Sequence, residues 1–451
     1  MVINTSHPLR GDFFNRMGSA VYFKGKRIAT KEKTFTNRRY LDALEDRVLL
    51  FDGAMGTNLD RQGLTAEQFG GEATMGCNDV LVLTYPQAVA KVHRAFLEAG
   101  ADVIETDSFR ANRLTLAEFG LGEKTFEINQ AAAALARQIA DEYATEEKPR
   151  FVAGSMGPSG KLISTEDPEM SNISFEELSD VFREQAVGLI EGEADLLLIE
   201  TSQDILEVKA VIQGIKDAFE ETGEVLPIQA QVTLDTTGRM LLGTDMAAAR
   251  AILEGMGIDV IGLNCSTGPD YMREPIRYLT EHSNLPVSCI PNAGLPLNVD
   301  GEAVYPMAPE PFSELLLEFV EAYGVRVVGG CCGTREEHIR LIDEGLNRGR
   351  SKPPQPDEEP MLASPVQAVS MDQTPPPFLI GERLNTQGSR RFKRLILAED
   401  YDGIIELARS QVESGAHGLD VCVALTESAD EAGLMKRLVK KLANAVPVPL
   451  V

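Results

Sequence analysis

No apolar run in this sequence approaches the roughly 20 residues that a membrane-spanning helix needs, and the N-terminus lacks the compact apolar core of a secretory signal. Basic residues are outnumbered, 43 Lys and Arg against 69 Asp and Glu, for a net charge of −26. That balance argues against a nucleic-acid partner, because phosphate binding needs a basic surface. Histidine is scarce: the five residues His7, His93, His282, His338 and His417 are isolated, with no His-Glu-x-x-His and no Cys-x-x-Cys motif. The six cysteines (77, 265, 289, 331, 332 and 422) are scattered rather than spaced as a secreted disulfide framework. A reducing cytoplasm with free thiols is the expected setting.

The length of 451 residues suffices for two domains, each with its own core. Charge is uneven along it. Residues 1–39 carry nine Lys and Arg against Asp12 and Glu32, and residues 1–45 read as a basic, poorly ordered extension without sustained periodicity. From about residue 46 to 349, short runs rich in Val, Ile and Leu alternate with longer amphipathic segments. The runs cover 48–52, 102–105, 151–155, 195–200, 227–233, 259–264, 286–290 and 325–329. Continuous apolar runs separated by helices mean strands buried on both faces, hence a parallel sheet. Pro86 opens one helical stripe (Val89, Val92, Phe96), and Ser174 with Glu177 has capping-box spacing ahead of another. Eight such units in one domain predict an α/β fold closed as a (β/α)₈ barrel. Residues 350–377 are crowded with proline and read as a stiff linker. A new strand–helix–strand pattern starts at 378 and runs to 451, too short to close a barrel of its own, so the second domain is expected to be incomplete.

Active sites in such barrels lie at the carboxyl ends of strands. The residues at or just past those ends are Asp52, Glu105, Ser155, Glu200, Cys265, Asn292 and the pair Cys331 and Cys332. Adjacent cysteines rarely reach disulfide geometry without strain. Three thiolates on one face would instead hold a zinc ion with one position open, the arrangement of a catalytic site. The competing reading is that the three are buried apolar fillers, which remains the preferred one for Cys77, Cys289 and Cys422. Asp52, within Asp52-Gly-Ala-Met-Gly-Thr57, and Glu200 suit an amino acid: the acids take the ammonium, and backbone amides around Ala54 and Met55 take the carboxylate. Each acid could equally serve as a helix cap or a barrel-mouth hydrogen bond.

Five segments together resemble the homocysteine S-methyltransferase family: Asp52-Gly-Ala-Met-Gly-Thr57, Gly154-Ser-Met-Gly-Pro158, Leu263-Asn-Cys-Ser266, Pro291-Asn-Ala-Gly294 and Gly329-Gly-Cys-Cys-Gly-Thr334. The resemblance implies a zinc barrel in which Cys265, Cys331 and Cys332 hold the metal and the homocysteine sulfur takes the fourth position. It implies recognition of the amino acid by Asp52 and Glu200, and Asn292 as a metal ligand when substrate is absent. The stretch from Glu105 through Asp107 to Phe109 departs from the family's Thr-Asn-Thr-Phe. Beyond the linker, Gly381-Glu-Arg-Leu-Asn385 and Gly415-Ala-His-Gly-Leu-Asp-Val421 look like the opening of a pterin-binding barrel, with Glu382, Asn385 and Asp420 beginning the pocket. Cys422 stands where that family often has Asn. A zinc barrel followed by a pterin barrel resembles the cobalamin-dependent methionine synthases. That order implies cobalamin and tetrahydrofolate as further cofactors of a full-length enzyme, with homocysteine, methyltetrahydrofolate and a methylcobalamin-bearing domain or protein as partners. Transfer from S-methylmethionine or betaine, fusion to a methylenetetrahydrofolate reductase, and a non-catalytic zinc or redox role are the competing expectations.

Overall fold

The computed structural model describes residues 33–165, 167–299, 301–346, 359–425 and 430–451, together with the backbone of a short pairing between Tyr22–Phe23 and Lys26–Arg27. Eight parallel strands form the barrel: β1 (Leu49–Leu50), β2 (Val103–Glu105), β3 (Phe151–Met156), β4 (Leu196–Ser202), β5 (Ile228–Val232), β6 (Val260–Asn264), β7 (Val287–Ile290) and β8 (Val327–Val328). Each pairs with its neighbours in sequence, and β8 pairs with both β7 and β1. Closure between β1 and β2 comes from a parallel bridge between Phe51 and Val103, with Asp52 N–H donating to Val103 O at 3.0 Å.

Side chains alternate along these strands as the pleat requires. Leu49, Phe51, Val103, Phe151, Ala153, Leu196, Leu198, Val260 and Val327 fill the interior. Ile104 and Val152 face outward onto helices α1 (Pro86–Glu98) and α2 (Thr125–Tyr143). Helix α3 (Phe175–Glu191) starts with the expected capping box, Ser174 and Glu177 each satisfying the other's backbone N–H.

The amino end of the barrel is closed by a helix, Arg39–Asp46, that carries buried Tyr40 and Leu44. Tyr40 packs edge-on against Phe51 and Phe151, with ring centroids 6.4 and 5.8 Å away, and its hydroxyl bonds Gln229 Oε1. This corrects the expectation of a poorly ordered extension over 1–45 for residues 33–45. The run from Arg39 to Asp46 is so charged that its two buried anchors were masked. Residues 1–21, 24–25 and 28–32 of that extension lie outside the described residues.

A repeated device holds the same end together. Asp102, Asp195 and Asp259 stand immediately before or at the start of β2, β4 and β6. Each accepts the N–H of a residue on the neighbouring strand: Leu50 at 3.0 Å, Val152 at 2.9 Å and Ile228 at 2.8 Å. Each is also paired with a cation, respectively Arg47, Arg137 and Lys33.

Residues 359–425 and 430–451, with 242–252, belong to a second compact unit. Two of its strands, β9 (Ile380–Asn385) and β10 (Gly418–Cys422), pair in parallel, and Leu450 bridges Leu419. Helices Arg390–Leu397, Tyr401–Glu413 and Glu431–Ala445 contribute to a core of Leu384, Phe392, Ile404, Leu407, Leu419, Leu438 and Leu442. The expected linker over 350–377 is corrected in part: Met361–Ala363 pairs antiparallel with Ala368–Ser370 as a hairpin. Proline content concealed a segment that makes ladder bonds between its prolines. Residues 347–358 lie outside the described residues.

Candidate active site

The carboxyl end of the barrel gathers the reactive side chains. Cys265 follows β6, and Cys331 and Cys332 follow β8. Their three sulfur atoms all lie within 4.8 Å of one another, and the Cys265 and Cys332 sulfurs are 4.0 Å apart. Tetrahedral zinc with bonds of about 2.3 Å sets its sulfur ligands about 3.8 Å apart, so this donor set fits that ion in both softness and spacing.

Backbone geometry presents these sulfurs. Cys265 and Ser266 adopt left-handed φ values of 58° and 62°, a conformation that costs a non-glycine residue energy and must be held by its surroundings. Cys265 N–H donates to Ile290 O at 3.2 Å, and Thr267 N–H donates to Cys265 O at 2.7 Å. The double-cysteine loop is stitched to two strands: Gly330 N–H donates to Asp52 O, Cys331 N–H to Pro291 O, and Ala293 N–H to Cys332 O. Asn292 is buried and accepts Cys332 N–H on Oδ1 at 3.0 Å. Thr334 locks the loop to β1, its hydroxyl donating to Cys331 O and accepting Ala54 N–H at 3.1 Å. Glycine is required at Gly53, where a Cβ would lie 2.7 Å from Thr334 Oγ1 and 2.8 Å from the Phe96 ring.

Tyr305, unremarked in the sequence, lies beside the cysteines, and burial together with the nearby Cys332 raises its pKa. It sits on the segment after the hairpin Leu297–Val299/Glu302–Val304, against Gly333, whose φ is +79° and whose Cβ would fall 2.3 Å from Tyr305 Cβ. The neighbouring thiols of Cys265 and Cys331 pull the Cys332 thiol down in pKa. The same contacts with Cys265 and Cys332 hold the Cys331 thiol well above the ordinary value.

Beside the sulfurs lie three acids. Glu200 is buried and gripped by Ser155 Oγ and by Asn264 Nδ2, the latter at 3.0 Å. Burial pushes its pKa up to about 7. Asp52 is 2% exposed, accepts Glu105 N–H on Oδ2 at 3.1 Å, and has no partner for Oδ1. Burial, and then the charge of Glu200, hold its pKa well above the usual carboxylate range. Glu105, the third acid, is raised in the same way by burial and by Glu200 and Asp52. Among the described residues none of the three has a Lys or Arg partner.

The amides expected to receive a carboxylate are partly committed. Ala54 N–H is held by Thr334, which leaves the first-turn amides of the short helix Met55–Asp60, beginning at Met55, without intrahelical acceptors. Asp107 is buried away from this group; its Oδ2 has no partner, and burial with the nearby Asp79 raises its pKa. Cys77 and Cys289 are buried apart from the trio, Cys289 against Met272 Sδ at 3.9 Å. In the second unit Asn385 Nδ2 donates to Asp420 Oδ2 at 2.8 Å, and Cys422 pairs in register with Asn385. Glu382, on the same strand, is exposed and is not joined to that pair.

The family profile for homocysteine S-methyltransferase matches residues 49–346, the whole of this barrel. The chain belongs to the homocysteine S-methyltransferase family. A second profile, pterin binding enzyme, matches residues 381–449. The methionine synthase of Mycobacterium tuberculosis is 39% identical over 423 residues, 94% of this chain and 35% of the relative. That of Mycobacterium leprae is 39% identical over 415 residues, 91% of this chain and 34% of the relative. The chain thus spans about a third of the length of these curated relatives. Among solved structures, the metallated form of the homocysteine methyltransferase MmuM from Escherichia coli covers 68% of this chain and 99% of its own, with a TM-score of 0.55 at 23% identity. That likeness establishes the fold of this homocysteine S-methyltransferase family barrel. No described helix is long and apolar enough to cross a membrane.

Proposed function

We propose that this chain carries the homocysteine-methylating part of a methionine synthase, with a barrel over 46–349 and the beginning of a pterin-binding domain over 378–451. The observation that carries the reading is the pairing, at one barrel mouth, of three converging sulfurs with buried acids that have no cation of their own. Cys265, Cys331 and Cys332 would hold zinc. Zinc, when bound, supplies the Lewis acidity that ionises a substrate thiol of ordinary pKa near ~8.5 at neutral pH.

The other residues bind and orient. Asp52 and Glu200 receive the ammonium of homocysteine, and the first-turn amides from Met55 onward receive its carboxylate. Ser155 and Asn264 fix the Glu200 carboxylate, so the ammonium meets a preset acceptor. Asn292 steers Cys332 through its backbone amide and can reach the metal when substrate is absent. The sulfur of the bound amino acid then attacks an activated methyl group, forming the new S–C bond as the donor leaves with its electron pair. The 39% identity to methionine synthases and the pterin-binding match support methylcobalamin as that donor. On this reading Asn385 and Asp420 would begin the pocket for methyltetrahydrofolate in the full-length protein, and methylcobalamin, when bound, would supply the activated methyl group. Glu382 would join that pocket from the exposed side of β9.

A methyl-transfer assay with homocysteine and free methylcobalamin, with S-methylmethionine as competing donor, tests the reading. Methionine formed from methylcobalamin is expected. Turnover from S-methylmethionine alone would replace the cobalamin reading with a cobalamin-independent one.

A further inference from the structure

Glu105 is a strand-end acid for which neither the sulfurs nor the fold has a use. Strand parity aims it inward: Val103 faces the barrel interior and Ile104 faces the helices, so Glu105 returns to the interior, one layer above Val103. Leu196, Leu198 and Glu200 repeat that alternation on β4, and Phe151, Ala153 and Ser155 do so on β3. Glu105 and Glu200 therefore face the same interior, Glu105 in register with Ala153 of β3 and Glu200 just past the Met156–Ile199 pairing, close enough for each charge to act on the other.

Asp52 completes the group. Its Oδ2 is fixed by the Glu105 amide, while its buried Oδ1 is left without a donor. Glu200 is held by Ser155 and Asn264. Glu105 alone of the three is half-buried rather than buried, so its carboxyl is the one reached from the mouth. The mutual repulsion of three acids is relieved either by protonation, toward which burial and their neighbours push all three, or by a cation from outside.

Resting on the homocysteine reading above, we propose that Glu105 is a third acceptor for the substrate ammonium and the positioning residue that selects an α-amino acid over an amine-free thiol. An ammonium offers three donors. Asp52 Oδ1, Glu200 and Glu105 offer three acceptors near enough to act on one another at the barrel mouth. Glu105, on the solvent side, closes the cage.

The test compares homocysteine with 4-mercaptobutanoate, which keeps the thiol and carboxylate but lacks the amine. Affinity is measured by calorimetry on the zinc-loaded chain, with zinc content and thermal midpoint recorded for each variant. In the wild type homocysteine is expected to be preferred. Glu105→Gln is expected to shrink that preference by about tenfold or more, corresponding to one charge-assisted hydrogen bond. The loss should fall on homocysteine alone, with zinc content and midpoint unchanged, and Glu105→Asp should restore part of it. Retention of the preference within twofold in Glu105→Gln, or an equal loss for both ligands, overturns the proposal while leaving the homocysteine reading intact. A wild type that does not prefer homocysteine overturns both.

Discussion

The two ends of the barrel use the same kind of residue in opposite ways. At the amino end, Asp102, Asp195 and Asp259 each cap a neighbouring strand and each meet an Arg or Lys. At the carboxyl end, Asp52, Glu105 and Glu200 meet no cation among the described residues, and one oxygen of Asp52 has no partner among them. A buried acid with its cation supplied serves the fold; one left short is a demand for a ligand. The contrast separates stability from binding within one set of residues of like charge, and it can be broken or sharpened by experiment.

The largest effect is expected from the sulfurs. Cys331→Ser should abolish both stoichiometric zinc and methyl transfer; metal analysis with full zinc and full activity in the variant would refute the ligand assignment. Next comes the amino end. Asp195→Ala removes the acceptor of the Val152 amide and leaves Arg137 only Asp141 and the Arg150 carbonyl, and should cost about 3 kcal/mol in denaturant unfolding while leaving homocysteine affinity in the surviving folded fraction unchanged. An unchanged stability would dissolve the contrast.

The acids of the other end should show up in the pH dependence. The native state keeps the Glu200 proton to about pH 7, whereas the unfolded chain gives it up near ~4.5. Between these values the folded chain binds the extra proton, so stability of the ligand-free protein should fall as pH rises through that window and level off above it, by up to about 3 kcal/mol. Glu200→Gln should flatten the slope, and a slope unchanged in that variant would contradict the assignment. The smallest effect is expected from Asp52→Asn. It should leave unfolding free energy level or improved and raise the homocysteine KM by a factor on the order of 30, roughly 2 kcal/mol of charged hydrogen bonding. A KM that does not move would remove Asp52 from the binding group.

Much of this arrangement could be read from residue order. Strands buried on both faces advertise themselves as apolar runs, which is why all eight barrel strands coincide with the expected runs. The convergence of Cys265 on Cys331 and Cys332 followed from strand order alone, because successive parallel strands bring their carboxyl ends to one rim. What escaped reading shares a different cause. Tyr40 and Leu44 are two apolar anchors in a helix whose other residues are mostly charged, so local composition pointed to solvent. Tyr305 lies in a loop without periodicity, and only the fold brings it to Cys332. Glu105 was visible at a strand end, but its meaning depends on what surrounds it, namely two other acids and no base.

One detail of the stitching bears on how the molecule is made. The sulfur trio draws on β6 and on β8, the last barrel strand in sequence, and Thr334 fastens that last loop back to the segment after β1. A chain that has assembled only seven strands offers a single sulfur and no clasp. Were zinc held by the trio, it would stabilise only the form in which both sequence ends of the barrel are joined, by mass action. The clasp that presents the sulfurs would then also favour the closed barrel over an open one.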